Sequence, residues 1–142
     1  MRKVYRTGHA VYRLNYHFVW IPKYRRKVLS GAVGQRAAEL FREIAKQYEM
    51  RMDTLRVLED HGPLFLSAPP RYAPAQIVNI MKSISAKKIF EEFPQVKQKL
   101  WGGKFWADGY DVGSSGDDVT ADVIRRYIQY QQRVKDQQLR LF

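Results

Sequence analysis

Between Val11 and Trp20 the side chains alternate. Tyr12, Leu14, Tyr16, Phe18 and Trp20 fall on one side of an extended chain, and Arg13, Asn15 and His17 on the other. Successive side chains of a strand point to opposite faces, so this pattern reads as a half-buried β-strand. Such a strand obliges the rest of the chain to supply partner strands and a layer that covers the aromatic face. His17, on the polar face, reads as a sheet-surface or hydrogen-bonded histidine rather than as a ligand.

The covering layer is legible in two helical patterns. From Gly31 to Tyr48 the apolar residues Ala37, Leu40, Phe41, Ile44 and Tyr48 recur at helical spacing, with Arg36, Glu39, Arg42, Glu43 and Lys46 outward. A second, longer helix starts at Pro74, a residue suited to the first helical position. Its stripe of Ile77, Ile80, Met81 and Ile84 continues to Ile89 and Phe90, and Pro94 stops it. Between the helices, Met52–Leu58 and Leu64–Ala68 read as strands, joined by the tight connection Glu59–Pro63. Pro69–Pro74 is a stiff linker. Phe105–Val112 reads as a fourth strand, weakened by Gly109. Trp101, Phe105 and Trp106 read as core or interface residues first and as base-stacking platforms second.

A Gly/Ser loop from Gly113 to Asp118 then leads into an amphipathic stretch, with Asp118 or Thr120 suited to cap it. Asp108, Asp111, Asp117 and Asp118 are irregularly spaced and read as turn and cap residues. Within the last helix Tyr127 and Gln131 stand four residues apart, on one face. The order is strand, helix, strand, strand, helix, strand, helix. This is the split βαββαβ arrangement of ferredoxin-like α+β folds with one added C-terminal helix. It forms a single domain over residues 1–142, with the core over 10–112 and the added helix over 118–136.

Charge narrows the partners. The chain of 142 residues carries 25 Lys and Arg against 14 Asp and Glu, a formal net charge of +11. A polyanion is the natural partner, and the 13% aromatic content favours single-stranded nucleic acid, where bases stack on rings beside neutralised phosphates. Lys23, Arg25, Arg26 and Lys27 cluster in one loop, and Lys82, Lys87 and Lys88 project from the second long helix; all are candidates for phosphate contact. There is no cysteine, so disulfides, thiolate metal sites and thiol catalysis are excluded. No segment approaches the roughly 18 uncharged apolar residues of a membrane span. The N-terminus lacks an apolar signal core, and a cytoplasmic protein is expected.

Taken together, Tyr16–Val28, Asp60-His61, Leu66–Pro70, Leu100–Gly103 and Tyr127-Ile-x-x-Gln131 resemble the single-tyrosine, HUH-type transposases of the insertion sequence 200/605 family. The resemblance covers nearly the whole chain. It implies a ferredoxin-like sheet with the nucleophile on a C-terminal helix, a homodimer, and binding of hairpins in single-stranded DNA at the ends of a mobile element. It implies cleavage by a tyrosine that becomes joined to the 5′ phosphate, and rejoining by the freed 3′ hydroxyl. By position, Tyr127 is the nucleophile, and Gln131 and His61 are ligands of a divalent cation, Mg²⁺ or Mn²⁺. The loop Gly113–Gly116 resembles the hinge of the tyrosine helix. The family carries His-hydrophobic-His on a strand, whereas this chain has His61-Gly62-Pro63. Proline offers no ligand atom, so weakened metal binding is expected. The alternative is a relative that binds hairpins without efficient cleavage. A basic RNA-binding protein of the same architecture explains the charge but not the Tyr127–Gln131 pair.

Overall fold

The computed structural model describes residues 5–6, 8–12, 16–23, 31–55, 62–99, 104–114, 129 and 133. Two short strands, β1 (Tyr5–Arg6) and β2 (Val11–Tyr12), pair antiparallel as a separate ribbon. The main sheet is built from β3 (Tyr16–Trp20), β4 (Arg51–Leu55), β5 (Gly62–Ser67) and β6 (Asp111–Ser114). Its order is β4-β5-β3-β6, and every neighbouring pair is antiparallel. Helix α1 (Gly31–Gln47) connects β3 to β4, and α2 (Pro74–Glu92) with the short α3 (Pro94–Lys99) connects β5 to β6. This is the ferredoxin-like βαββαβ sheet.

The described residues of the alternating run from Val11 to Trp20 fall in two strands, β2 and β3. Val11 and Tyr12 pair with β1 outside the main sheet, and Val11 is 58% exposed. An alternation that looks continuous therefore serves two sheets, and only its second half carries the core. There Phe18 and Trp20 meet Ala37, Leu40, Phe41 and Ile44 of α1 and Ile77, Met81 and Ile89 of α2. Trp20 packs edge-on against Phe41 and Trp106, with ring centroids 5.5 and 6.0 Å apart.

Helix α1 ends with Glu49 in the left-handed region (φ 55°), and the Met50 N–H donates back to the Ala45 carbonyl at 2.7 Å. These features belong to a Schellman stop, here without the usual glycine. At the start of α2 the Gln76 side chain accepts from the Ala73 N–H at 2.8 Å, which satisfies a donor just ahead of the helix. Ile77, Met81 and Ile89 of the predicted stripe are buried. Ile80, Ile84 and Phe90 flank it half-buried, and Val78 and Ser85 are buried beside it. Arg36 of α1 ties the two long helices together through Glu92, and it also bonds Glu39 and Glu43.

Two predicted boundaries move. Gly62 and Pro63 belong to β5 rather than to the connection before it. The last strand of the sheet starts at Asp111, not at Phe105. Phe105 and Trp106 lie in a loop that touches the chain after β3: Lys23 N–H donates to the Phe105 carbonyl, and Ala107 N–H to the Ile21 carbonyl. Gly109, at φ 88°, turns the chain before the strand begins. The C-terminal helix predicted over 118–136, with its cap residues, lies outside the described residues except for Gln129 and Arg133, both helical and exposed. Among the described residues no helix is long and apolar enough to cross a membrane.

Candidate active face and nucleic-acid interface

The two faces of β3 do different work. Phe18 and Trp20 enter the core between sheet and helices, while His17 and Val19 alternate to the opposite face, where both are buried. Across from His17 on β6 stands Gly113. A Cβ built at position 113 would collide with the imidazole ring, so the ring fills the space that any larger residue there would need. His17 is thus a sheet histidine packed against its cross-strand glycine, buried rather than at the sheet surface where one of the two sequence readings puts it. Val19 is registered with Asp111 on one side and Pro63 on the other, so one row of positions crosses β6, β3 and β5.

Position 63 is where the expected metal motif would carry its second histidine. It lies on β5, a central strand, in the row that Val19 occupies, and it holds a proline. Proline has no ligand atom and no N–H for the ladder, and within sheets it is confined to edges, strand starts and bulges. Its place one residue into β5 agrees with that tolerance. Among the described residues no group of three His, Asp or Glu is placed to hold a metal ion. Those residues do not include the expected ligands, and in the sequence itself position 63 supplies no second histidine to a two-histidine motif. His61, Gln131 and Tyr127 lie outside the described residues, as do Arg25, Arg26 and Lys27.

Of the described candidates for phosphate contact, Lys23 follows β3, and Lys82, Lys87 and Lys88 are on α2. Lys87 and Lys88 are exposed. Lys82 is half-buried, and its ammonium donates to the backbone carbonyls of Ala107 at 2.8 Å and Gly109 at 2.6 Å. Burial pushes its pKa down to about 8; Lys104 pushes the same way and Asp108 opposes them. Asp108 bonds Lys104 at 3.0 Å, and this contact holds its carboxyl below the usual range. Between α2 and the 104–110 loop lies a cavity of about 390 Å³.

Phe105 and Trp106 are buried, and the Trp106 indole N–H donates to the Ser85 hydroxyl at 2.9 Å. They are core residues and present no free stacking face. Trp101 lies outside the described residues. The reading from sequence missed this Ser85–Trp106 bond and the Lys82 bonds to the loop carbonyls. A serine inside an apolar helical stripe is the one signal that pointed to the first; nothing local pointed to the second, which depends on the turn at Gly109.

Residues 10–131 match the family profile described as "Transposase IS200 like". The ISDra2 transposase TnpA of Deinococcus radiodurans is 39% identical over 121 residues, covering 85% of this chain and 86% of that protein. The transposase for insertion sequence element IS200 of Salmonella typhimurium is 27% identical over 124 residues, covering 87% and 80%. A crystal structure solved as a candidate transposase from Deinococcus radiodurans superposes with a TM-score of 0.80 at 34% identity, over 89% of this chain and 97% of that one. A REP-associated tyrosine transposase bound to a REP hairpin shares the fold, with a TM-score of 0.54 at 14% identity, over 92% and 70%. With the profile spanning the sheet, both long helices and the Tyr127–Gln131 segment, the chain belongs to the IS200-like transposase family.

Proposed function

We propose that this chain binds hairpins in single-stranded DNA and cleaves and rejoins strands through a tyrosine. Family membership carries the reading, and the four-residue spacing of Tyr127 and Gln131 in the sequence supports it. The Tyr127 oxygen attacks a backbone phosphorus, forms the tyrosine–phosphate bond and breaks the bond to the 3′ oxygen. The tyrosyl proton is lost and the 3′ oxygen leaves as a hydroxyl. That hydroxyl, or another strand's, later attacks the phosphotyrosine and restores a phosphodiester, so no nucleotide hydrolysis is required. A tyrosine hydroxyl has an ordinary pKa near 10, so deprotonation or a polarised phosphate must assist it.

A divalent cation on this chain would meet His61 and Gln131 but no donor from position 63. One specific observation therefore favours a second reading, hairpin binding with impaired cleavage: Pro63 is built into β5 opposite Val19. In either reading the protein acts as a homodimer, and Arg25, Arg26, Lys27, Lys82, Lys87 and Lys88 meet phosphates.

The test is a cleavage assay with hairpin-bearing oligonucleotides drawn from DNA flanking the gene, with Mg²⁺ or Mn²⁺ and with EDTA. A covalent protein–DNA adduct lost on Tyr127→Phe establishes the first reading. Binding without an adduct, with cleavage gained on Pro63→His, establishes the second. A chain that binds none of these oligonucleotides overturns both.

A further inference from the structure

The cavity between α2 and the 104–110 loop has the properties of an anion site. At about 390 Å³ it falls within the range of small-molecule pockets, and Asn79, Lys82, Ser83, Lys104, Asp108 and Tyr110 contribute to its lining. Asn79, Lys82 and Ser83 share one face of α2 at helical spacing. An ammonium has three donors. Two of those on Lys82 are fixed on the carbonyls of Ala107 and Gly109, which sets the nitrogen in place and leaves the third for an occupant. Among the described residues no carboxylate lies within ion-pair distance of Lys82; the nearby Asp108 is bonded to Lys104. A cation held this way is prepared for an anion, with Lys104 beside it already paired to Asp108.

We propose that this cavity receives a backbone phosphate of the bound DNA, gripped by Lys82 with Lys104 at the rim. The proposal rests on the DNA-binding reading above and adds to it a site and a proton. A phosphodiester is anionic at every physiological pH and accepts from several donors at once. Among the described residues the groups that face the Lys82 ammonium are Lys104 and Asp108, with Tyr110 in the same lining and Lys23 acting on Asp108. In the free protein the lysine, its pKa lowered to about 8, gives up its proton over the range centred there. A bound phosphate favours the charged form, so binding takes up a proton once the pH passes that value.

The experiment measures affinity for a hairpin-bearing oligonucleotide at constant ionic strength from neutral pH to about pH 9.5, below the ordinary range of exposed lysines. Affinity of the unaltered protein falls as the pH rises past 8, by up to about tenfold per pH unit. Lys82→Arg, charged throughout, binds with a flatter profile. Titration calorimetry on the unaltered protein in two buffers of different ionisation enthalpy reads the proton uptake directly and needs no variant to fold. Binding with a flat profile and no uptake overturns the proposal while leaving DNA binding intact. Absence of any DNA binding overturns the DNA-binding reading with it. Competition by inorganic phosphate that abolishes the uptake without weakening DNA binding assigns the cavity to free phosphate and overturns the DNA assignment.

Discussion

Ser85 shows how one side chain can couple a helix to a loop. It sits fully buried in α2, where a hydroxyl is costly unless bonded, and it accepts from the Trp106 indole at 2.9 Å while its own hydroxyl reaches the Lys82 carbonyl. Ser85→Ala leaves the indole N–H buried without that acceptor, and the expected loss is about 1–3 kcal/mol. Ser85→Thr keeps an acceptor and loses less. Urea unfolding at constant slope measures both, and a Ser85→Ala variant as stable as the unaltered chain would show that the indole finds another acceptor. Residue-level facts of this kind are the least legible in the sequence. That Phe105 and Trp106 are buried follows from their size. The turn that brings them under α2 follows from Gly109 and from carbonyls whose direction no periodicity encodes.

At the scale of elements the sequence was far more informative, because strands and helices advertise themselves by period. The aromatic alternation into Trp20 and the stripes of α1 and α2 yielded the element order of the main sheet. What they did not yield were ends. Gly62 and Pro63 read as a turn because glycine and proline are the strongest turn signals, yet both continue β5 against β3. For the candidate site the split is similar. Tyr127, Gln131 and His61 stand out through resemblance to a family, whereas the close pairing of His17 with Gly113 needed the register of β3 and β6. That pairing carries a prediction. Gly113→Ala forces the imidazole aside and costs about 1–3 kcal/mol by overpacking. In the His17→Ala, Gly113→Ala double variant the added methyl meets no ring, so the two losses combine to less than their sum. Strictly additive losses in a double-mutant cycle would show that the ring and the glycine do not compete for space.

For the molecule as a whole, the question raised by the charge of +11 is whether the cations form a diffuse field or make defined contacts. Among the described residues the carboxylates are not spread evenly around the cations. Glu39, Glu43 and Glu92 gather around Arg36 on the surface that joins α1 and α2, and Lys104 is matched by Asp108. Arg36 holds the Glu92 carboxyl below its ordinary range, and Lys88, one turn earlier on α2, adds to this. Positive charge left over from these pairings is available to phosphates, with Lys87 and Lys88 among its described sources. Each phosphate neutralised releases counterions, so log affinity falls linearly with log salt, by roughly 0.7 per contact on single strands and 0.9 on a duplex stem. If the six candidate cations Arg25, Arg26, Lys27, Lys82, Lys87 and Lys88 each meet a phosphate, the slope for a hairpin-bearing oligonucleotide is about −4 to −5. A Lys87→Ala, Lys88→Ala double variant then has a slope shallower by about 1.5, with similar losses on unrelated sequences, because phosphate contacts carry no sequence information. Anisotropy titrations across a salt series read this directly. A slope unchanged by the double variant would place both lysines on a solvated face, and the defined contacts would have to come from the loop cations Arg25, Arg26 and Lys27 and from the cavity at Lys82.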